Sequence, residues 1–223
     1  MPVNPLPERK PVSPRLAVPA AVAAVALAVA IALSSSSAAP KPAAEPAPAA
    51  ASLLQGIPER DGVLGAADAP VTVTEFLDLQ CPACAAAART QLPALIADHV
   101  RTGRVKLRAE LLHFLGPDSV TAADHAAGAM RQDRLWPFVL SFYAAQGTEN
   151  SGYVTPAFLS SVARAAGVDP AAAEAFDATP VLERANAAAE RLGVTGTPTF
   201  AVQRGDGPVR VVDAAGLERA LAR

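Results

Sequence analysis

Val71-Thr72-Val73-Thr74-Glu75-Phe76-Leu77-Asp78-Leu79-Gln80-Cys81-Pro82-Ala83-Cys84 is a β-branched and aromatic run that ends in two cysteines three positions apart. Pro70 precedes the run and alanines follow the cysteines, so the stretch reads as a strand passing directly into a helix. Thiols at i and i+3 across a helix start lie about one turn apart, close enough to close a disulfide without moving the backbone. The first thiol also meets the unpaired N–H groups and positive dipole end of the helix, which favour thiolate over thiol. The chain has 2 cysteines in all, so no other thiol is left for a structural bridge. Cys81 and Cys84 therefore read as a working dithiol, and redox chemistry is the leading expectation.

Downstream, the helix is expected to reach about Arg101, bent or broken at Pro93, with Gly103 ending it. Val105, Leu107, Ala109 and Leu111 then alternate with Lys106, Arg108 and Glu110, the period-two pattern of a half-buried strand. Strand, long helix and strand make a βαβ unit, so the two strands are expected to be parallel. A helical stretch follows. Asp118 or Ser119 is expected to cap a helix through Met130, and Trp136-Pro137 marks a restart or kink. Thr155-Pro156, Asp169-Pro170 and Thr179-Pro180 each pair a capping residue with proline at the first helical position. Gly167 and Gly193 stand where C-terminal glycines belong. Residues 199–203 and 209–212 read as a hairpin, and Asp213 can cap a last helix carrying Leu217 and Leu221.

Upstream, residues 1–15 form a basic leader with Arg9, Lys10 and Arg15, followed by an uncharged apolar run over 16–33. That run just reaches membrane-spanning length, and the charges before it place the N-terminus in the cytoplasm and the rest outside. The alternative is a cleaved signal peptide, with Ser37-Ala38-Ala39 as a plausible cleavage site. The length of the run favours an uncleaved anchor. Residues 34–52 are rich in Ser, Ala and Pro, a composition that cannot bury a core and reads as an extended linker. The globular part is expected over 53–223. Both readings export it to a compartment where disulfides persist.

Net charge is −2 and no Lys/Arg-rich run occurs, so no nucleic-acid surface is expected. A zinc site built on the cysteine pair needs two further ligands, and His99, His113 and His125 lack zinc-finger spacing. No metal is expected. Glu75 shares the strand face of Val71, Val73 and Leu77, so it should be at least partly buried, where a lone carboxylate has a raised pKa. The competing reading is a carboxylate at a strand end facing water. Asp78 reads as a solvated turn residue. Trp136, Phe138, Phe142 and Tyr143 fall on one helical stretch and read as core packing rather than a client-binding surface.

Two motifs in order give the chain a family likeness: Val73 to Cys84 as quoted above, and Gly193-Val194-Thr195-Gly196-Thr197-Pro198-Thr199-Phe200 far downstream. Together, over roughly 63–223, they resemble the DsbA-like branch of the thioredoxin superfamily, closest to membrane-tethered forms. The resemblance implies an α/β thioredoxin fold with a helical insertion, about 117–192, between the cysteine βαβ unit and the proline ββα unit. It implies that Pro198 is cis and lies against the dithiol, turning the backbone of Thr197 toward an extended client. Glu75 would lie under the dithiol as proton acceptor for Cys84, while Cys81 would be the nucleophile. The strongest oxidants of the family carry histidine where this chain has Ala83, so Cys81 should be less acidic than theirs.

The resemblance further implies an extracytoplasmic, monomeric protein disulfide oxidoreductase that needs no cofactor beyond the Cys81–Cys84 disulfide. Its clients would be unfolded or partly folded cysteine-containing proteins. A quinone-coupled membrane protein of the DsbB or vitamin K epoxide reductase kind would reoxidise it. Two rivals stand beside this reading: a disulfide reductase or isomerase, and a non-catalytic thioredoxin-fold binding module.

Overall fold

The computed structural model describes residues 52–222. The leader, the apolar run and the linker up to residue 51 lie outside the described residues. No helix among the described residues is long and apolar enough to cross a membrane.

A six-stranded sheet carries the fold. Its strands are β1 (Glu59–Arg60), β2 (Val63–Leu64), β3 (Val71–Leu77), β4 (Val105–Leu111), β5 (Thr199–Arg204) and β6 (Arg210–Val212), in spatial order β1-β2-β4-β3-β5-β6. The strand read from 71–77 lies inside the sheet, pairing in parallel with β4 and antiparallel with β5. The expected βαβ unit is therefore present, and the expected C-terminal hairpin pairs Phe200 with Val212. Alternation along β3 sends Val71, Val73, Glu75 and Leu77 to one face and Phe76 to the other. Phe76 packs with Leu112, Ala185, Ala189 and Ala201 on the far face, and the larger core fills the near one.

Helix α1 (Pro82–Thr90) begins at the cysteines, with Pro82 at a position where a missing N–H costs nothing. The bend expected at Pro93 takes the form of a short helical turn, α2 (Leu92–Ala94), followed by a π-helical segment, Leu95–Val100. The helical insertion consists of α3 (Pro117–Arg131), α4 (Leu135–Ala145), α5 (Pro156–Ala165) and α6 (Pro170–Glu174), and α7 (Thr179–Leu192) returns to the sheet's far face. Gly128 lets α3 and α6 touch: a Cβ there would sit 2.3 Å from the Ala173 carbonyl oxygen. The last helix, α8 (Ala214–Leu221), is capped by Asp213, which accepts from the Gly216 N–H at 2.7 Å.

Two expected caps are corrected. Helix α3 starts one residue earlier than Asp118, after Gly116, so neither Asp118 nor Ser119 caps it. Asp118 instead accepts from the Gly152 N–H, and Ser119 turns inward. Thr179 is the first residue of α7 rather than its cap, and the Asp177 carboxylate takes its N–H. Thr155 and Asp169 cap as expected.

Trp136, Phe138 and Phe142 are fully buried, which settles the aromatic stretch as core. Trp136 also ties this helix to the sheet margin. Its indole N–H donates to the Gly62 carbonyl, and its backbone N–H donates to the Glu59 carboxylate. Burial pushes Glu59 up to about 7, partly offset by that backbone hydrogen bond.

Candidate active site

The end of β3 and the start of α1 deliver both cysteines to one point. Cys81 is the N-cap of α1, in extended conformation, and its sulfur accepts from the Cys84 N–H at 3.4 Å. Both thiols are free and buried, Cys81 at 6% exposure and Cys84 at 0%. The order of exposure is the one expected of an attacking and a buried partner.

From the opposite direction comes the loop after α7. The Thr197–Pro198 peptide bond is cis. The Cys81 thiol donates to the Thr197 carbonyl at 3.3 Å, across a sequence separation of 116 residues. Thr197 thus meets the dithiol through its backbone as well as its side chain.

These contacts set the acidity of the pair. The Cys84 thiol, hydrogen-bonding to the Cys81 sulfur, does most to lower Cys81 from 9.0 to about 6, against the opposing effect of burial. The Thr197 side chain and the N–H groups of Cys84 and Ala83 add to the lowering. The helix start alone is therefore not the chief cause. Cys84 moves the other way, because burial and the neighbouring Cys81 sulfur disfavour its charge. Titrating the reduced protein by ultraviolet thiolate absorbance is expected to show a transition near pH 6. Cys84→Ala should move that transition upward, and an unmoved midpoint would contradict the assignment of Cys84 as the main donor.

Glu75 is completely buried, and neither carboxylate oxygen has a hydrogen-bond partner among the described residues. The solvent-facing alternative is excluded. Desolvation, with the Cys81 charge nearby, pushes its carboxyl up to about 8. A carboxyl that holds its proton to such a pH, on the face of β3 that also meets the cysteines, is chemically suited to trade protons with a buried thiol.

Asp78 is the clearest correction. It is not a solvated turn residue: its exposure is 0%. Its carboxylate accepts from the Gln80 N–H at 2.9 Å, the Ser119 hydroxyl at 2.6 Å and the Leu115 N–H at 3.3 Å. Gln80 continues this network, donating to the Tyr153 hydroxyl and accepting from the Asn150 N–H. Gln146 donates to the Leu79 and Cys81 carbonyls. The helical insertion thus grips the dithiol loop by polar contacts, not by apolar packing alone. None of these long-range contacts was expected from sequence, because the groups that reach residues 78–81 from the insertion arrive from 37 or more positions downstream.

Among the described residues no cluster of His, Cys, Asp and Glu could hold a metal ion. His113 meets the Asn186 side chain, at 3.5 Å, and lies near enough to Asp124 to act on its carboxylate.

The chain is similar to known proteins over much of its described length. The family model described as Thioredoxin matches residues 59–207. Disulfide bond formation protein D of Bacillus subtilis is 33% identical over 104 residues, covering 46% of this chain and 47% of that protein. A protein named as a probable disulfide bond formation protein D in Bacillus anthracis is 35% identical over 103 residues, 45% and 48% of the two chains. The chain thus spans about half the length of the curated relatives it matches. Among solved structures, oxidised BdbD from Bacillus subtilis superposes with a TM-score of 0.64 at 27% identity, covering 75% of this chain and 95% of that one. DsbA from Chlamydia trachomatis shares the fold, with a TM-score of 0.62 at 20% identity over 72% of this chain and 89% of that one.

Proposed function

Because the chain belongs to the thioredoxin family, we propose that it is an extracytoplasmic protein thiol–disulfide oxidoreductase that donates disulfides through the Cys81–Cys84 couple. One observation carries the reading: an acidic cysteine at a helix start, backed by a buried partner thiol and faced by the Thr197–Pro198 loop.

The steps follow from sulfur chemistry. A client thiolate attacks the disulfide at Cys81, the S–S bond breaks, and its electron pair leaves on Cys84. A second client thiolate attacks the client sulfur of the mixed disulfide and releases Cys81 as thiolate. The client loses two electrons and the couple gains them. A low-pKa Cys81 is a good leaving group, which makes the couple oxidising. Glu75 acts as the proton site for Cys84, and no organic cofactor takes part.

Clients are unfolded or partly folded secreted proteins with reduced cysteines. Phe114 and Val120 support this, being exposed apolar side chains on the segments whose Leu115 N–H and Ser119 hydroxyl reach Asp78. The protein acts outside the cytoplasm as a monomer tethered by residues 16–33. A quinone-coupled membrane protein of the DsbB or vitamin K epoxide reductase kind returns the couple to its disulfide form, an encounter that tethering makes frequent.

Equilibration with a glutathione redox buffer tests the direction. The expected potential lies between those of thioredoxin and DsbA, roughly −270 and −120 mV, with turnover of a reduced two-cysteine peptide. A potential at or below thioredoxin's marks a reductase, and no turnover in either direction marks a binding module.

A further inference from the structure

Helix α4 contributes apolar core along most of its length, yet it sends one polar atom to the redox couple. The Tyr143 side chain is buried, its ring edge-on to Phe142 with centroids 6.5 Å apart. Its hydroxyl donates to the Asp78 carbonyl at 3.1 Å, at the turn that leads into Cys81. The same hydroxyl is a hydrogen-bonding neighbour of the Cys84 thiol, and Glu75 and Cys81 lie near enough for their charges to act on it. Burial first, and then those three groups, push its pKa well above the ordinary tyrosine value. Tyr143 therefore keeps its proton wherever the couple works. It is a neutral donor held beside two buried groups, Cys84 and Glu75, and the Glu75 oxygens have no partner of their own among the described residues.

We propose that the Tyr143 hydroxyl is the hydrogen-bond donor that stabilises the buried Cys84 sulfur while it carries charge. The inference rests on the thiol–disulfide exchange proposed above and assigns that site a further residue. When a client thiolate opens the disulfide at Cys81, the S–S electron pair stays on the Cys84 sulfur, where water cannot reach it. Tyr143 turns its O–H from the Asp78 carbonyl to that sulfur. The Glu75 carboxyl then gives its proton to Cys84, leaving a carboxylate, and Tyr143 ends with the proton it began with. In the reverse step Glu75 takes the Cys84 proton, and Tyr143 again stabilises the thiolate until it closes the disulfide. A hydrogen bond to a charged group is worth more than one to a neutral group, so its effect concentrates in the charged stage.

Tyr143→Phe keeps the ring and removes the donor. With oxidised protein and a reduced two-cysteine peptide, single-turnover oxidation is expected to slow by roughly 10- to 100-fold. The pH profile of that rate should shift, while the Cys81 thiolate transition stays near pH 6. A rate and profile within about twofold of the unaltered protein overturn the proposal. Gln146→Leu supplies the comparison, because it removes the donors to the Leu79 and Cys81 carbonyls without touching Cys84. If it shifts the pH profile as Tyr143→Phe does, the tyrosine only holds the loop and the proposal fails. Should the phenylalanine variant not fold, carbon-labelled tyrosine in the unaltered protein gives a direct readout. The Tyr143 ring signal is expected to differ between disulfide and dithiol forms, and an unchanged signal overturns the assignment. Absence of peptide oxidation by the unaltered protein sinks the parent reading and this one with it, whereas normal oxidation by Tyr143→Phe removes this one alone.

Discussion

Cys81→Ser is expected to reduce peptide oxidation to the uncatalysed background, a loss of roughly 10³-fold or more. The remaining cysteine cannot substitute. Cys84 is 0% exposed, and its thiol is held in the protonated form by burial and by its neighbour. At pH 7 a thiol with a pKa of about 6 is roughly nine-tenths ionised, against about one part in a hundred for one at 9.0. Serine offers neither the charge nor the sulfur. Cys84→Ala should behave differently: with no partner to expel a bound client, a disulfide-bearing peptide should remain attached to Cys81. Mass spectrometry of the two variants after exposure to such a peptide separates the roles. An adduct on Cys81→Ser, or none on Cys84→Ala, would reverse the assignment of attacking and buried thiol.

Glu75→Gln is expected to flatten the dependence of stability on pH. In the folded, reduced protein the Glu75 carboxyl keeps its proton to about pH 8, while in the unfolded chain it loses it near its ordinary value of 4.5. Between those two values the folded state binds more protons, so stability falls as pH rises through the window and levels off above it. The ceiling is about 5 kcal/mol at ~1.4 kcal/mol per pK unit, an order-of-magnitude figure for a buried group. Glu59 contributes in the same direction between 4.5 and about 7, so the difference between the unaltered protein and the variant isolates Glu75. Denaturant unfolding at about pH 5 should give nearly equal stabilities for the two. At about pH 8.5 the glutamine variant should be the more stable by several kcal/mol. It should also slow peptide oxidation by roughly 10²-fold, the usual worth of a positioned proton donor. Parallel stability curves would remove Glu75 from the buried proton site.

Much of the fold was legible because its determinants are local. Alternation in 71–77 and 105–111, proline after Thr155 and Asp169, and glycine at 167 and 193 act within a few residues, and each produced the expected element. The same alternation placed Glu75 inside. Asp78 went wrong for a physical reason. Aspartate after a strand ordinarily caps or solvates a turn, and what buries it here is a hydroxyl and an N–H supplied 41 and 37 positions later. Tyr143 was legible only in part: helical spacing identifies a core aromatic, but no periodicity tells which way its hydroxyl points. The short strands Glu59–Arg60 and Val63–Leu64 carry too few residues for a pattern, and they exist through pairing with each other and with β4.

Strand β3 lies between β4 and β5, and β5 follows β3 by more than a hundred residues. A polypeptide emerging N-terminus first thus presents its cysteine pair long before the loop that must face it has been synthesised. Until then one margin of β3 stands open and Cys81 has no Thr197 carbonyl to meet. A nascent chain halted short of Gly193 therefore carries the dithiol without the loop that faces it, and without the share of Cys81 acidity that Thr197 supplies. Order of synthesis separates the two halves of the site by the 116 positions from Cys81 to Thr197.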